Sequence, residues 1–288
     1  MLQRSTVQLL RFHFSFFLMP VYWFALGQVV NKSWSHAILI FVILHLLVYP
    51  ASNGYNSYMD RDEGSIGGLR KPLQPTRQLF YVSLLMDLFA FGLSLFIDIY
   101  FSAGILCYIL ASRAYSYRGI RLKKHPIIGY LTVVCFQGAV VFFIVFHGSH
   151  QHETAQIPLT AMIGSSLLIG GFYPLTQIYQ HQADKQEGVK TISYLLGYRG
   201  TFIFTAVVYC MAFVTLGFYF FSSMEAKEFM VLATCMMPVL VYFFTWGAKV
   251  WKNNGFANFA NTMRMNILAS FCTNIGFIII LFMNKITP

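Results

Sequence analysis

Nine long apolar segments divide this chain, and they constrain its fold more than any other feature of the sequence. Each is close to the ~20 residues that an α-helix needs to cross the hydrocarbon layer of a membrane. The segments lie at residues 12–31, 36–55, 79–97, 99–117, 127–147, 157–179, 201–222, 228–248 and 263–283. This pattern predicts an all-α polytopic membrane bundle of about nine transmembrane helices around a central cavity, forming one domain over residues 1–288.

The composition excludes an ordinary soluble domain. Hydrophobic residues make up 57% of the 288 positions and charged residues only 10%, whereas a soluble domain carries about 25% charged residues. Most of the apolar surface must therefore face lipid. The net charge of +10 does not require a nucleic-acid partner, because anionic lipid head groups and anionic substrates account for it.

The basic residues predict the orientation in the membrane. All but three of the 20 lysines and arginines fall in the N-terminal segment and in alternate loops; the exceptions are Lys32, Lys227 and Lys285. The positive-inside rule then places the N-terminus in the cytoplasm. An odd number of spans places residues 285–288 on the outer side. We expect an integral protein of a bacterial inner membrane.

Every acidic residue on the predicted cytoplasmic side belongs to one of two clusters. The clusters are Asp60, Asp62 and Glu63, and then Asp184 and Glu187. Segments 55–64 and 179–188 match at an offset of 124 residues, with Tyr, Asp, Glu and Gly at equivalent positions and a carboxamide at Asn56 and Gln180. Four predicted spans separate the clusters, so both lie on the same side of the membrane. We call these segments the first motif and the second motif.

The spacing within each motif predicts a metal site. If each motif continues the preceding helix, its carboxamide, aspartate and glutamate fall at i, i+4 and i+7 on one face, and Gly64 and Gly188 can end the helices in the left-handed conformation. Such oxygen ligands suit Mg²⁺, which retains waters and binds substrate phosphates. They suit zinc poorly, because no His or Cys accompanies them. The predicted ligands are Asn56, Asp60, Asp62, Glu63, Gln180, Asp184 and Glu187, with Asp60 and Asp184 as the catalytic pair.

Basic residues surround both motifs. Acids alone indicate a bare cation site, whereas acids interleaved with bases indicate a polyanion bridged by metal. The candidate diphosphate-binding residues are Arg70, Lys71, Arg121, Lys123, Lys124, Lys190 and Arg199. For the segment 121–124, positive-inside topology alone is the alternative explanation.

Other polar residues in the spans are weaker candidates. Asn53 and Gln177 lie on or near the face of each motif helix, where they could orient a diphosphate or a metal-bound water. His45 either lines the cavity or is a satisfied buried histidine. Asp87 falls inside a span, where an acid is costly to bury. Asp87 is either a functional acid or a structural one that is protonated or hydrogen-bonded to a neighbouring helix.

At these residues the chain resembles the UbiA superfamily of intramembrane prenyltransferases, over most of its length. Members of that family have nine helices and two aspartate-rich motifs at the cytoplasmic ends of the second and sixth. The further matching residues are Arg70 and Pro72 after the first motif, Tyr115-Ser116 before the basic loop at 118–124, Tyr173-Pro174 ahead of the second motif, and Gly188 and Thr191 at its end. The chain departs from the family at Gly64 and Gln180, where the family has aspartate. These departures leave the number of metal ions open.

The resemblance implies a Mg²⁺-dependent prenyltransferase. An isoprenyl diphosphate would place its head between the motifs and its tail among the helices, with Tyr173 a possible cavity residue. Metal and basic residues would stabilise the departing diphosphate, and the allylic cation would pass to a lipophilic acceptor such as a quinone-ring precursor. One alternative is a terpene cyclase of the same fold. A transporter or lipid-binding protein without chemistry is less favoured, because it would carry charges along the spans rather than at one end.

Overall fold

The computed structural model describes residues 1–61, 63–152 and 156–283, and within these ranges it contains no β-strand longer than an isolated bridge. The α-helices are Arg4–Leu10 (α1), Met19–Gln28 (α2), Trp34–Phe41 (α3), Tyr49–Asp60 (α4), Arg77–Ser94 (α5), Ile99–Ser116 (α6), Pro126–Val133 (α7), Val141–Gly148 (α8), Leu159–Gln177 (α9), His181–Gln186 (α10), Ile192–Ser222 (α11), Ala226–Lys252 (α12) and Phe259–Met283 (α13). Short 3₁₀ helices occupy Phe12–Phe17, Leu122–Lys124, Ile178–Gln180 and Asn254–Phe256.

Six helical segments are long and apolar enough to cross a membrane. They are Trp34–Asp60, Pro126–Gly148, Leu159–Gln186, Ile192–Ser222, Ala226–Lys252 and Phe259–Met283. A seventh arises if Arg4–Phe17 and Met19–Gln28, which meet at 44°, form one broken span. The 18-residue helices α5 and α6 match two more predicted segments without being among these six. The expected count of nine is therefore not confirmed, and the predicted outer position of residues 285–288 lies outside the described residues.

Helices α5 and α6 are joined to each other by a largely buried ion pair. Arg113 on α6 contacts the carboxylate of Asp87 on α5. The guanidinium carbon of Arg113 also lies 4.0 Å from the ring centroid of Tyr55 on α4, a favourable cation–π distance. Asp87 is thus paired with a neighbouring helix, and the contact ties α5 and α6 to the helix that ends in the first motif.

Two of the spans contain a π-helical segment, Val42–Val48 between α3 and α4 and Val134–Val140 between α7 and α8. A π-helix is rare and occurs mostly as a single turn within an α-helix, frequently at a functional site. The first leads directly into the helix of the first motif. The second carries Gln137, whose side chain lines the cavity described below.

Close approaches at small residues position α9, the helix that leads to the second motif. A Cβ on Gly138 would lie 2.5 Å from the Cα of Ser166 on α9, and one on Gly171 of α9 would lie 2.7 Å from the ring of Tyr209 on α11. Because lipid tails are as apolar as leucine, membrane helices associate through this kind of packing. The contacts hold α9 against its neighbours and so fix where the second motif begins.

Candidate active site

A cavity of about 480 Å³ lies at one end of the bundle, and both motifs line it. From the first motif come Asn56, Asp60 and Glu63; from the second come Gln180, Asp184 and Glu187. Asn53, Tyr173 and Gln177 also lie in its wall. Two segments separated by 124 residues in the sequence therefore meet at one site. Asp62 lies outside the described residues.

The first motif ends its helix earlier than its sequence predicts. Helix α4 stops at Asp60, and Arg61 takes the left-handed conformation at φ 54°. The Nε of Arg118 donates a hydrogen bond of 2.7 Å to the carbonyl of Met59, which satisfies one of the free carbonyls at the helix end. The expectation that the helix runs on to a left-handed Gly64 is wrong. Glu63 is exposed and follows in a loop, so it does not share a helix face with Asp60.

The second motif remains largely helical. Pro174 interrupts the hydrogen bonding of α9, and the chain continues through the turn Ile178–Gln180 into α10. Gly188 has φ +65°, which confirms that a left-handed glycine ends this segment. Thr191 then donates a hydrogen bond of 3.0 Å to the Asp184 carboxylate and accepts one from the backbone of Tyr194 at the start of α11. The aspartate is therefore oriented by the helix that follows it.

The loop between α6 and α7 places two cations between the motifs. The Lys123 ammonium contacts Oδ2 of Asp60 and lies 3.4 Å from Oδ1 of Asn56. Arg121 connects the motifs: its Nη2 lies 3.6 Å from Oδ1 of Asp60 and also contacts the carboxylate of Glu187. Ser116 donates to the same Asn56 oxygen at 2.8 Å. Acidic and basic side chains are thus interleaved as the sequence indicates.

Of the predicted diphosphate ligands, Lys123 lines the cavity and Arg121 contacts two lining residues, Asp60 and Glu187; the remaining five lie outside the lining. Arg70, Lys71, Lys124 and Lys190 are exposed. Arg199 instead donates a hydrogen bond of 2.9 Å to the carbonyl of Trp251 and lies over its ring. These residues lie near a motif in the sequence but do not line the cavity.

His45 is also not part of the lining. It is buried in the first π-helical segment, where its Nδ1 lies 2.6 Å from the hydroxyl of Ser15. Its ring packs against Phe41 and Tyr49. Of the two interpretations of this residue, the buried histidine fits the structure, although only Nδ1 has a hydrogen-bond partner in the described part of the chain and Nε2 is buried without one.

Polar groups beyond the motifs also line the cavity. Tyr115 and Tyr173 are joined through their hydroxyls, and Gln177 donates a hydrogen bond of 2.8 Å to Tyr173. Sequence reasoning missed Asn266 of α13, which is 1% exposed, and Gln137 of the second π segment. Both are carboxamides inside apolar segments, and this unusual position is the sequence feature that could have identified them as cavity residues.

The site supplies oxygen ligands but no protein cage for a metal. Among the residues that the structure describes, no three His, Cys, Asp or Glu side chains come together as a metal site. Mg²⁺ is usually bound through one or two carboxylates, with waters and substrate phosphates completing its shell. The carboxylates and carboxamides of the cavity fit an ion that is shared with a phosphate ligand.

The fold and the cavity define a class: an integral membrane protein of apolar helices with an acidic and basic site at one end of the bundle. More particularly, the chain belongs to the UbiA prenyltransferase family, whose model matches residues 15–268. A comparison with curated protein sequences finds no match.

Solved structures share the fold at low sequence identity. A UbiA homologue from Archaeoglobus fulgidus bound to DMAPP and Mg²⁺ is 19% identical, with a TM-score of 0.70 over 96% of this chain and 99% of that chain. A UbiA homologue from the same organism bound to GPP and Mg²⁺ gives the same values. An apo UbiA homologue from Aeropyrum pernix K1 is 17% identical, with a TM-score of 0.69 over 93% and 97% of the two chains.

Proposed function

We propose that this protein is a Mg²⁺-dependent prenyltransferase that ionises an isoprenyl diphosphate and transfers the prenyl group to a lipophilic acceptor. The observation that carries the proposal is the meeting of Asp60, Asp184, Lys123 and both carboxamides of the motifs in one cavity. Family membership supports the reaction type, and the related structures that hold DMAPP or GPP with Mg²⁺ support the substrate class.

The chemistry follows from the charges. The bond between the first prenyl carbon and the diphosphate oxygen breaks, and its electron pair leaves with the diphosphate. Lys123 and Arg121 stabilise the charge on the leaving group, to which Mg²⁺ adds further positive charge when bound. Tyr115 and Tyr173 line the cavity, where an aromatic ring can stabilise the allylic cation. The acceptor then donates an electron pair to the prenyl carbon and gives up a proton to the released diphosphate.

Buried carboxamide atoms favour transfer over cyclisation. In the described part of the chain, both side-chain polar atoms of Asn266, Oε1 of Gln177 and Nδ2 of Asn53 are buried without a hydrogen-bond partner. Leaving such a group unsatisfied costs about 1–3 kcal/mol. These atoms have almost no accessible surface, so the side chains must rotate toward the cavity before a ligand can reach them. An acceptor with hydroxyl or carbonyl groups would then pair with them, whereas a cyclising hydrocarbon would not.

The location of the charges supports an active site on the cytoplasmic side of the membrane. The basic loop that holds Arg121 and Lys123 belongs to the side with most of the lysines and arginines, and the positive-inside rule places that side in the cytoplasm. Cysteines introduced singly at Lys124 and Lys32 would test this in intact bacterial cells. A membrane-impermeant maleimide should label the Lys32→Cys variant and not the Lys124→Cys variant. Labelling of Lys124→Cys alone would contradict the orientation.

The reaction is tested with purified protein in detergent or nanodiscs. Dimethylallyl, geranyl and longer isoprenyl diphosphates are incubated with Mg²⁺, with and without a panel of hydroxylated aromatic acceptors. We expect diphosphate release that depends on Mg²⁺ and yields a prenylated acceptor. Cyclic hydrocarbons formed without an acceptor would favour the cyclase. Absence of Mg²⁺-dependent diphosphate release with every chain length would overturn the proposal.

A further inference from the structure

A buried chain of side-chain hydrogen bonds anchors the short helix that carries the aspartate of the second motif. Nε2 of His181, the first residue of α10, lies 2.9 Å from Oγ of Ser193. That oxygen lies 3.0 Å from Oγ1 of Thr201. His181 is 7% exposed, and the two hydroxyl residues are fully buried. These three side chains do not line the cavity, so any role they have in the site is exerted through other residues.

The direction of each hydrogen bond in this chain follows from the number of protons. The hydroxyl of Thr201 donates its single proton to the carbonyl of Gly197 at 2.7 Å. Thr201 therefore accepts from Ser193, and Ser193, whose own proton is used there, accepts from Nε2–H of His181. The imidazole ring also stacks on the ring of Tyr198, with 4.6 Å between the ring centroids. The histidine is thus held in one orientation.

A kink in α11 at Gly197 makes this chain possible. Gly197 has φ 68° and ψ 178°, a backbone conformation that is essentially restricted to glycine. Along a straight α-helix, Ser193 and Thr201 would be separated by about 12 Å. Their hydroxyls could not then meet at 3.0 Å. The kink therefore turns the first residues of α11 back along the helix.

The same turned-back residues also reach the second motif at its aspartate. Thr191, which caps α11, donates a hydrogen bond of 3.0 Å to the Asp184 carboxylate. His181 stands three residues before Asp184, so the two are neighbours on the surface of α10. A helix of six residues is unstable on its own, and α10 depends on such contacts for its position. The start of α11 thus holds α10 at two points.

We infer that His181, Ser193, Thr201 and Gly197 are positioning residues that fix α10, and with it Asp184, at the cavity. This inference rests on the proposed diphosphate site, because it concerns a carboxylate that would share Mg²⁺ with the diphosphate. The alternative is a buried histidine that adds only stability. The two differ in metal affinity, since removal of the groups that orient a metal ligand typically weakens metal binding by about 10–100-fold.

Metal affinity, measured without turnover, tests the inference. Purified protein in detergent is titrated with Mn²⁺ at a fixed concentration of inorganic pyrophosphate, and free Mn²⁺ is followed by electron paramagnetic resonance. His181→Phe retains a ring that can stack on Tyr198 but has no donor, and we expect its Mn²⁺ affinity to fall at least about tenfold. In His181→Gln, the amide nitrogen can replace Nε2 as the donor to Ser193. This variant should therefore bind Mn²⁺ nearly as tightly as the unaltered protein.

Two matched pairs of variants separate the positioning chain from general packing. Thr201→Val breaks the chain, whereas Thr205→Val removes an equally buried hydroxyl that has no hydrogen-bond partner in the described part of the chain. Gly197→Ala places a side chain at a positive φ, whereas Gly92→Ala does not. A Cβ at either glycine meets nothing within 4 Å, so this pair isolates backbone conformation. We expect the first variant of each pair to weaken Mn²⁺ binding and the second to leave it unchanged.

Unchanged Mn²⁺ affinity in His181→Phe would overturn the inference, even if thermal unfolding shows a less stable protein, and would leave the proposed function intact. Equal losses of affinity in Thr201→Val and Thr205→Val would also overturn it. Absence of pyrophosphate-dependent Mn²⁺ binding in the unaltered protein would overturn the diphosphate site itself, and the inference with it. If His181→Phe does not fold, the comparison of the two threonine variants decides.

Discussion

The two motifs have nearly the same pattern of residues but different backbones. The first ends its helix at Asp60, with a left-handed Arg61; the second continues through α10 to a left-handed Gly188. The first aspartate is held by two cations, and the second accepts a hydrogen bond from a threonine. Similar sequences thus place the first aspartate at the end of its helix, beside two cations, and the second within a short helix, beside a threonine hydroxyl.

This difference teaches that a helix end depends on its tertiary partners as well as on its local sequence. Gly64 offered the first motif a favourable stop, yet the helix ends one turn earlier, where Arg118 reaches the carbonyl of Met59. A residue about 60 positions away in the sequence satisfies the helix terminus, and no pattern within residues 55–64 contains that information.

The largest expected effect tests whether the motifs form one site. Asp60→Ala and Asp184→Ala should each lower turnover of an isoprenyl diphosphate on the order of 10³-fold, because each removes a charge that organises the same leaving group. The double variant should lose scarcely more, since groups that act as a unit are not additive. The measurement is steady-state diphosphate release, with thermal unfolding in detergent to show that each variant folds. Fully multiplicative losses would mean that the motifs serve two independent sites.

Much of the fold could be predicted from the sequence. Apolar segments such as 201–222 and 263–283 correspond to α11 and α13 because a single segment inside a membrane satisfies its backbone hydrogen bonds by forming an α-helix. The convergence of the motifs also followed from an even number of intervening segments. The span count did not, since α5 and α6 carry Asp87 and Arg113 and, at 18 residues each, are shorter than the six qualifying segments of 23 to 31 residues.

The candidate site could be predicted only in part. Asn56, Asp60 and Lys123 meet because one helix end and one short loop bring them together. Arg199 could not be excluded from the sequence, because its contact with Trp251 depends on how α11 packs against α12. Asn266 could not be predicted either, since its place in the cavity depends on how α13, at the far end of the chain, packs against the other helices.

A smaller effect is expected at the glutamates, where the two backbones diverge most. If both glutamates shared a helix face with their aspartates, as the sequence alone predicts, Glu63→Gln and Glu187→Gln would both raise the Mg²⁺ requirement strongly and Asp62→Asn weakly. Since α4 ends at Asp60, we expect the two glutamates to differ. The Mg²⁺ concentration needed for half-maximal activity should rise on the order of tenfold in Glu187→Gln and under about twofold in Glu63→Gln. The amide preserves shape and removes charge, so the comparison reports metal binding rather than packing. Half-saturating Mg²⁺ concentrations provide the measurement, and equal shifts would restore the shared-face hypothesis.

The smallest effect concerns a pair of carboxamides that extends the comparison one turn deeper. Asn53 and Gln177 are separated by the same offset as the motifs, and both line the cavity. Within the described residues, the unsatisfied atom is a donor in Asn53 and an acceptor in Gln177. The two could therefore bind complementary groups of one polar acceptor.

We expect Asn53→Leu and Gln177→Met each to raise KM for the acceptor about tenfold, the loss of roughly one hydrogen bond, with little change in diphosphate release without acceptor. Gln177→Met should also lower stability, because Gln177 donates to Tyr173, whereas Asn53→Leu removes an unsatisfied group and should not. Product formation at varied acceptor concentration, together with thermal unfolding, separates the two. Unchanged KM in both variants would mean that the acceptor binds elsewhere, and the preference for transfer over cyclisation would lose its structural support.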